Sequence, residues 1–213
     1  MRRSLYYRWL FFIVGMMVLA LGFTMVIKAD RLGISPWDVL HVGLYQNFGL
    51  SIGTWAILAG LTLVVVTWVF TKRIPQVGTF LNMLLIGVFI DIFNFLIPDI
   101  ENLAAQIIMF AAGLIISGCG VGMYVAPKIG AGPRDGLMLV IVEKTGVSVN
   151  IAKTGTEVFA AVAGGLLGGP IGVGTVIVAL LTGKIVQTTL PIFEKMLNTI
   201  IEKKSEAPPI LKI

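Results

Sequence analysis

Gly33-Ile34-Ser35-Pro36-Trp37-Asp38 decides how this chain is read, because Gly130-Ala131-Gly132-Pro133-Arg134-Asp135 says it again ninety-seven positions later. Each stretch follows a long apolar run and leads into a short apolar segment that stops at a glycine, Gly49 or Gly146. At the same offset Ala29/Ala126, Gly33/Gly130, Pro36/Pro133, Asp38/Asp135, Leu40/Leu137, Gly49/Gly146 and Ser51/Ser148 are identical. After a one-residue deletion Gly78-Thr79 matches Gly174-Thr175, and Gly87 matches Gly183. The pattern predicts an internal duplication that organises the whole chain.

Of the 213 residues, 57% are hydrophobic and 13% charged. Soluble domains carry about 25% charged residues, so a water-soluble class is excluded. The apolar residues fall in long runs rather than in alternation, which predicts an all-α polytopic membrane protein and not a barrel. The net charge of +5 does not point to nucleic acid. Its basic residues sit at the ends of apolar segments, where they set topology. A single cysteine, Cys119, excludes a disulfide framework. The apolar run after Arg8 is too long for a signal peptide and lacks a cleavage site, so it is expected to be an uncleaved first span.

Six segments are long enough to cross about 30 Å of hydrocarbon. They are 9–28, 51–70, 77–97, 103–126, 147–167 and 175–197. Two more, 37–48 and 136–142, are too short to cross unaided, and each follows one copy of the motif. The expected plan is two tandem repeats, 1–98 and 99–197, each with three spans and a Gly/Pro-broken short re-entrant helix. Residues 198–213 are expected to form a mobile cytoplasmic tail. Lys and Arg counts put both termini in the cytoplasm and the acidic 98–102 loop outside, with Lys28 and Arg31 on the unfavoured side. Three crossings per repeat would insert the second repeat upside down, the inverted plan of many secondary transporters. Broken backbone within a bilayer is tolerated only where protein buries it or water reaches it.

The tandem Gly-x-Ser/Gly-Pro-x-Asp motifs, the length and the hydropathy resemble the YczE/YyaS/YitT-type family of bacterial integral membrane proteins over nearly the whole chain. The resemblance implies a multi-pass protein of the bacterial plasma membrane, for which transport is a frequent suggestion. It implies no substrate and no assigned site residue.

Asp38 and Asp135 stand in the first turn of the short helices after Pro36 and Pro133. There a carboxylate either caps free N–H groups or meets a cation, proton or amine in the repeat interface. Gly33, Ser35, Gly130 and Gly132 mark the backbone breaks and supply tight turns. Arg134 replaces Trp37 of the first copy, so the copies are not equivalent. Its guanidinium either pairs locally or clamps a carboxylate or phosphate. Glu157 and Lys184 both fall near the middle of their spans. They are expected either as a structural pair or as a coupling site, with Lys153 as a competing partner. Asp91 is expected near the outer interface, bonded to solvent or head groups. His41, the only histidine, could relay a proton with Asp38 or serve as a structural donor. The glycines at 118, 120 and 122 and at 164, 165, 168 and 169 are expected to be packing seams, with a dimer face as the alternative.

No zinc spacing, nucleophile elbow or phosphate loop is present, so the chain is expected not to be an enzyme and to hold no metal or cofactor. Two functions remain. One is a secondary transporter or permease for a small solute, coupled to H⁺ or Na⁺, with its site at the repeat interface. The other is a non-transporting accessory protein that supports another complex. Candidate partners are the lipid bilayer, a solute with its coupling ion, and a second copy in a homodimer.

Overall fold

A computed structural model describes residues 2–72, 74–130 and 132–205. Eight α-helices account for them: α1 Arg2–Lys28, α2 Pro36–Phe48, α3 Ile52–Thr71, α4 Val77–Leu96, α5 Leu103–Val125, α6 Pro133–Thr145, α7 Val149–Leu166 and α8 Val173–Ser205. One 3-10 turn, Asp30–Leu32, leads into the first motif, and no strand occurs among the described residues.

The helix boundaries have local causes. Pro36 and Pro133 open α2 and α6 at the first turn, where a missing N–H costs nothing. Gly49 and Gly146 close them with φ of 71° and 73°, a region that suits glycine. The side chains of Ser51, Asn102 and Ser148 accept from the N–H of Thr54, Ala105 and Ile151 and so start α3, α5 and α7.

Five helices are long and apolar enough to cross a membrane: Ser4–Lys28, Ile52–Thr71, Val77–Leu96, Leu103–Val125 and Val173–Lys203. Their outer faces carry large exposed apolar side chains such as Phe95, Ile108 and Leu180, as contact with lipid requires. The chain is a multi-pass membrane protein. The expected fifth span is helical as α7, but at 18 residues it covers only about 27 Å. It also carries Lys153 and Glu157, and it is not among the five. At the C-terminus, α8 runs past Leu197 to Ser205, so the first part of the expected tail is helical. Pro191 lies inside α8 without ending it. Residues 206–213, Arg73 and Ala131 lie outside the described residues.

At the centre, α1 and α5 run antiparallel in close contact. A Cβ on Gly15 would meet the Tyr124 nitrogen at 2.5 Å, one on Gly120 the Leu19 nitrogen at 2.4 Å, and one on Gly22 the Ser117 nitrogen at 2.3 Å. Much of the remaining packing is reciprocal, although α3 packs on α4 and α7 does not pack on α8. Helix α2 lies on α7 while α6 lies on α3, and α1 packs on α4 while α5 packs on α8. The breaks dock in the same crossed manner. Gly33 abuts Gly172 and Gly174 at the start of α8, and Gly130 abuts Gly78 at the start of α4.

The two breaks lie toward opposite ends of α1. At its C-terminal end Lys28 Nζ meets Asp99 Oδ1 at 2.6 Å, which neutralises the lysine that the charge pattern placed on the unfavoured side. At its N-terminal end Arg8 donates to the Pro127 carbonyl at 3.0 Å, three residues before Gly130. Helix α2 is about 20 Å long, short of the roughly 30 Å of a bilayer core. Before its start Ile34 N–H donates to Pro170 O, and near its finish Asn47 Nδ2 donates to Leu167 O.

A cavity between the two motifs

Both copies of the motif contribute to one cavity of about 470 Å³. From the first come Ser35, Pro36, Trp37 and His41, and from the second Gly132, Pro133, Arg134 and Asp135. Asn82 of α4, Tyr124 of α5, and Lys153 and Glu157 of α7 add polar groups. Much of the remaining wall is apolar, including Phe23, Met83, Val121 and Val178.

Arg134 is the centre of the arrangement. Its guanidinium carbon lies 5.2 Å from the Trp37 ring centre and 5.9 Å from that of Phe23, so two aromatic faces hold the cation. Nη2 stands 4.0 Å from Asp38 Oδ1, which joins the second motif to the first. The side chain is 34% exposed, whereas Asp38 is fully buried. The guanidinium therefore reaches the cavity from an orientation that its neighbours fix.

Asp38 is not a capping carboxylate. Helix α2 has no side-chain cap, and among the described residues neither Asp38 oxygen has a hydrogen-bond partner. What faces it is the Arg134 guanidinium, and the His41 imidazole with Nδ1 at 3.4 Å from Oδ1. His41 is itself buried, and burial pushes its imidazole below the ordinary range, opposed in part by Asp38. Asp135 is different. It is exposed to the cavity and its carboxylate turns back toward the Gly132 N–H. The symmetric acidic pair of the sequence is therefore two unlike groups, one buried beneath the site and one on its wall.

The expected Glu157–Lys184 pair does not form. Glu157 faces the cavity, while Lys184 is exposed on α8 outside the cavity lining, and no ion pair joins them among the described residues. The reason is that α7 and α8 have no packed seam that would bring their middles together. Asp91 also departs from expectation. Rather than meeting solvent, it takes a short hydrogen bond from Ser51 Oγ and another from Gly53 N–H at 2.8 Å, which ties the end of α4 to the start of α3. The glycine seams behave as expected within the molecule. Gly118 and Gly122 receive Ile185 and Thr189 of α8, and Gly164 receives the backbone of Val39 and Leu40. Sequence reasoning passed over Asn82, a polar residue inside an apolar span, and Tyr124 and Phe23. Only Asn82 carried a signal of its own, because a buried amide in a span calls for a partner, and here it meets the Met16 sulfur at 3.4 Å.

No group of three or more His, Cys, Asp or Glu able to hold a metal occurs among the described residues.

A family profile described as "Family of unknown function (DUF6198)" matches residues 6–191. The chain belongs to that family. It is 44% identical over 214 residues to the uncharacterized membrane protein YczE of Bacillus subtilis, covering 99% of this chain and all of that one. It is 28% identical to the uncharacterized protein YyaS of the same organism, over 88% of this chain and 94% of the relative. An uncharacterized protein of Haemophilus influenzae is 31% identical over 87% of this chain and 84% of its own. The resemblance seen in the paired motifs is thus borne out for YczE and YyaS. No solved structure matches.

Proposed function

We propose that this protein is a small-solute permease built on an inverted repeat, with its binding site in the cavity between the two motifs. One observation carries the reading: residues ninety-seven positions apart, in breaks toward opposite ends of the bundle, line one polar cavity in a membrane protein. The crossed docking of α2 on α7 and α6 on α3 supports a two-fold relation between halves. Packing alone gives no reason to set Arg134, Asp135, Lys153 and Glu157 around a common space among apolar helices. In this reading Arg134 and Glu157 contact the solute. Asp38 and His41 lie beneath them and supply the group that a coupling proton or Na⁺ would neutralise.

The test is flux in proteoliposomes loaded with a pH-sensitive dye and challenged in turn with organic anions, organic cations and zwitterions. One class is expected to move with an imposed H⁺ or Na⁺ gradient. That flux is expected to disappear in Asp38→Asn and Arg134→Gln proteins that remain folded and inserted. Flux of no class, or flux that survives both substitutions, contradicts the proposal.

A further inference from the structure

A second and larger opening adjoins the polar cavity. It is a groove of about 670 Å³ walled by α2, α3, α6 and α7, with side chains such as Leu40, Leu58, Leu137, Ile141 and Phe159. The Trp55 indole N–H and the hydroxyls of Thr62, Thr145 and Thr156 donate to backbone carbonyls, so the lining offers little but carbon. Trp37, Ala59, Leu63 and Thr156 line both the groove and the cavity, so the two form one bipartite space. At the junction stands Trp37, and over its ring lies the Arg134 guanidinium.

We infer that this space takes a single-chain amphiphile with an acidic head group, its head at Arg134 and its tail along the groove. The head is anionic because the cation held over Trp37 at the junction is a guanidinium, with Lys153 a second cation on the cavity wall. The five guanidinium donors form a fork that suits a carboxylate or phosphate, and Asp38 at 4.0 Å is beyond hydrogen-bonding distance and leaves them open. The tail is apolar because the groove offers it little but carbon. One tail is specified because the groove is one space, which meets the cavity along Trp37, Ala59, Leu63 and Thr156. This inference rests on the reading of the cavity as the binding site and names the chemistry of what it binds.

The experiment uses the full chain in nanodiscs with Trp9→Phe and Trp68→Phe, so that Trp37 and Trp55, both on the groove, report alone. The probes are short-, medium- and long-chain carboxylates brominated at the tail end, which quench tryptophan on contact. Saturable quenching by the longer acids is expected, at least about tenfold weaker for the matching bromo-alcohols and in Arg134→Gln. Gly155 lines the groove with nothing within 4 Å of its Cβ position, so Gly155→Leu fills space without a clash. It is expected to shift preference toward shorter acids while leaving the shortest unaffected.

Equal quenching by acid and alcohol, or a chain preference that Gly155→Leu does not move, overturns the inference. So does full competition by a diacyl phospholipid, which would give the groove to the bilayer. Should Arg134→Gln fail to fold, the acid–alcohol comparison in the parent protein and the Gly155→Leu shift decide alone. Saturable binding without flux would reject the permease and leave this inference standing. Flux of short solutes without dependence on chain length would do the reverse.

Discussion

The seam between α3 and α4 and the corresponding gap between α7 and α8 are built from matching positions and have opposite fates. In the first, Gly53 and Gly87 let the helices touch so closely that a Cβ on Gly53 would lie 2.0 Å from the Gly87 carbonyl oxygen. Gly60 takes the Met83 side chain, and Asp91 bonds to Ser51 and Gly53 to close the end. In the second half, positions 150, 157, 179 and 187 carry Asn150, Glu157, Ala179 and Gln187 where the first has Gly53, Gly60, Met83 and Asp91. The knob is gone, a charge stands in its hole, and the cap has lost its carboxylate. Gly183, the counterpart of Gly87, has nothing within 4 Å of its Cβ position. Glycine contacts thus seal one side, and the other is open as a wall of the cavity.

The largest effect expected from this contrast is that of Gly87→Leu against Gly183→Leu. At Gly87 the new Cβ would lie 2.4 Å from Ile57 Cγ1 and 2.5 Å from the Gly53 oxygen. The helices would have to separate, at more than about 3 kcal/mol. At Gly183 the same change lowers stability not at all and removes the helix-propensity penalty of glycine, up to about 1 kcal/mol. Thermal unfolding in detergent distinguishes them, and equal effects would erase the difference between the seams.

Next comes the link that spans the motifs. Arg134→Gln leaves the buried Asp38 facing no guanidinium and is expected to cost about 2 kcal/mol, less than a hydrogen-bonded buried pair because the partners are 4.0 Å apart. Adding Asp38→Asn is expected to restore part of the loss, which a double-mutant cycle of unfolding midpoints reads directly. Strict additivity would mean that the two do not interact.

Smaller still is Ser51→Ala, which removes the α3 cap and the bond to Asp91, at about 1 kcal/mol or somewhat more. Ser148→Ala, whose hydroxyl caps α7 but meets no carboxylate, should cost less. A larger loss at Ser148 would contradict the account of the sealed seam.

The smallest effect is with pH. His41 has a depressed pKa in the folded protein, facing Asp38 of its own helix and Arg134 of α6. Its unfolded form gains a proton near pH 6.5 while the folded one resists. Stability should therefore fall as pH drops below about 6.5, and His41→Gln should flatten that slope. An unchanged slope would place the titration elsewhere.

The two motifs, the helical class and most helix ends were legible in the sequence because they depend on local causes: proline at the start, glycine at the end, and runs long enough to span. Helix α6 was read as 136–142 but occupies Pro133–Thr145, since its polar ends, Arg134 with Asp135 and Glu143 with Lys144, hid it from a hydropathy scan. The convergence of Asp38, His41 and Arg134 was not legible. It depends on how two breaks fold back toward each other, which spacing along the chain does not encode. The error over Glu157 and Lys184 has the same origin, because depth in a span says nothing about which helix lies alongside. One useful sign was present. Aligning the copies sets Glu157 opposite Gly60, and a charge in place of a packing glycine marks a seam that cannot close in the same way.

The most direct test of the cavity on the open side is a single cysteine at Gly183, in a Cys119→Ser background, probed with a membrane-impermeant thiol reagent. Ile90→Cys, buried on α4, serves as the unreactive control. The account predicts labelling of Gly183→Cys by the impermeant reagent from one face of the membrane, slowed in the presence of a transported solute. Reaction with a lipid-soluble maleimide alone, from neither aqueous face, would mean that lipid fills the gap between α7 and α8 and would contradict a solute cavity there.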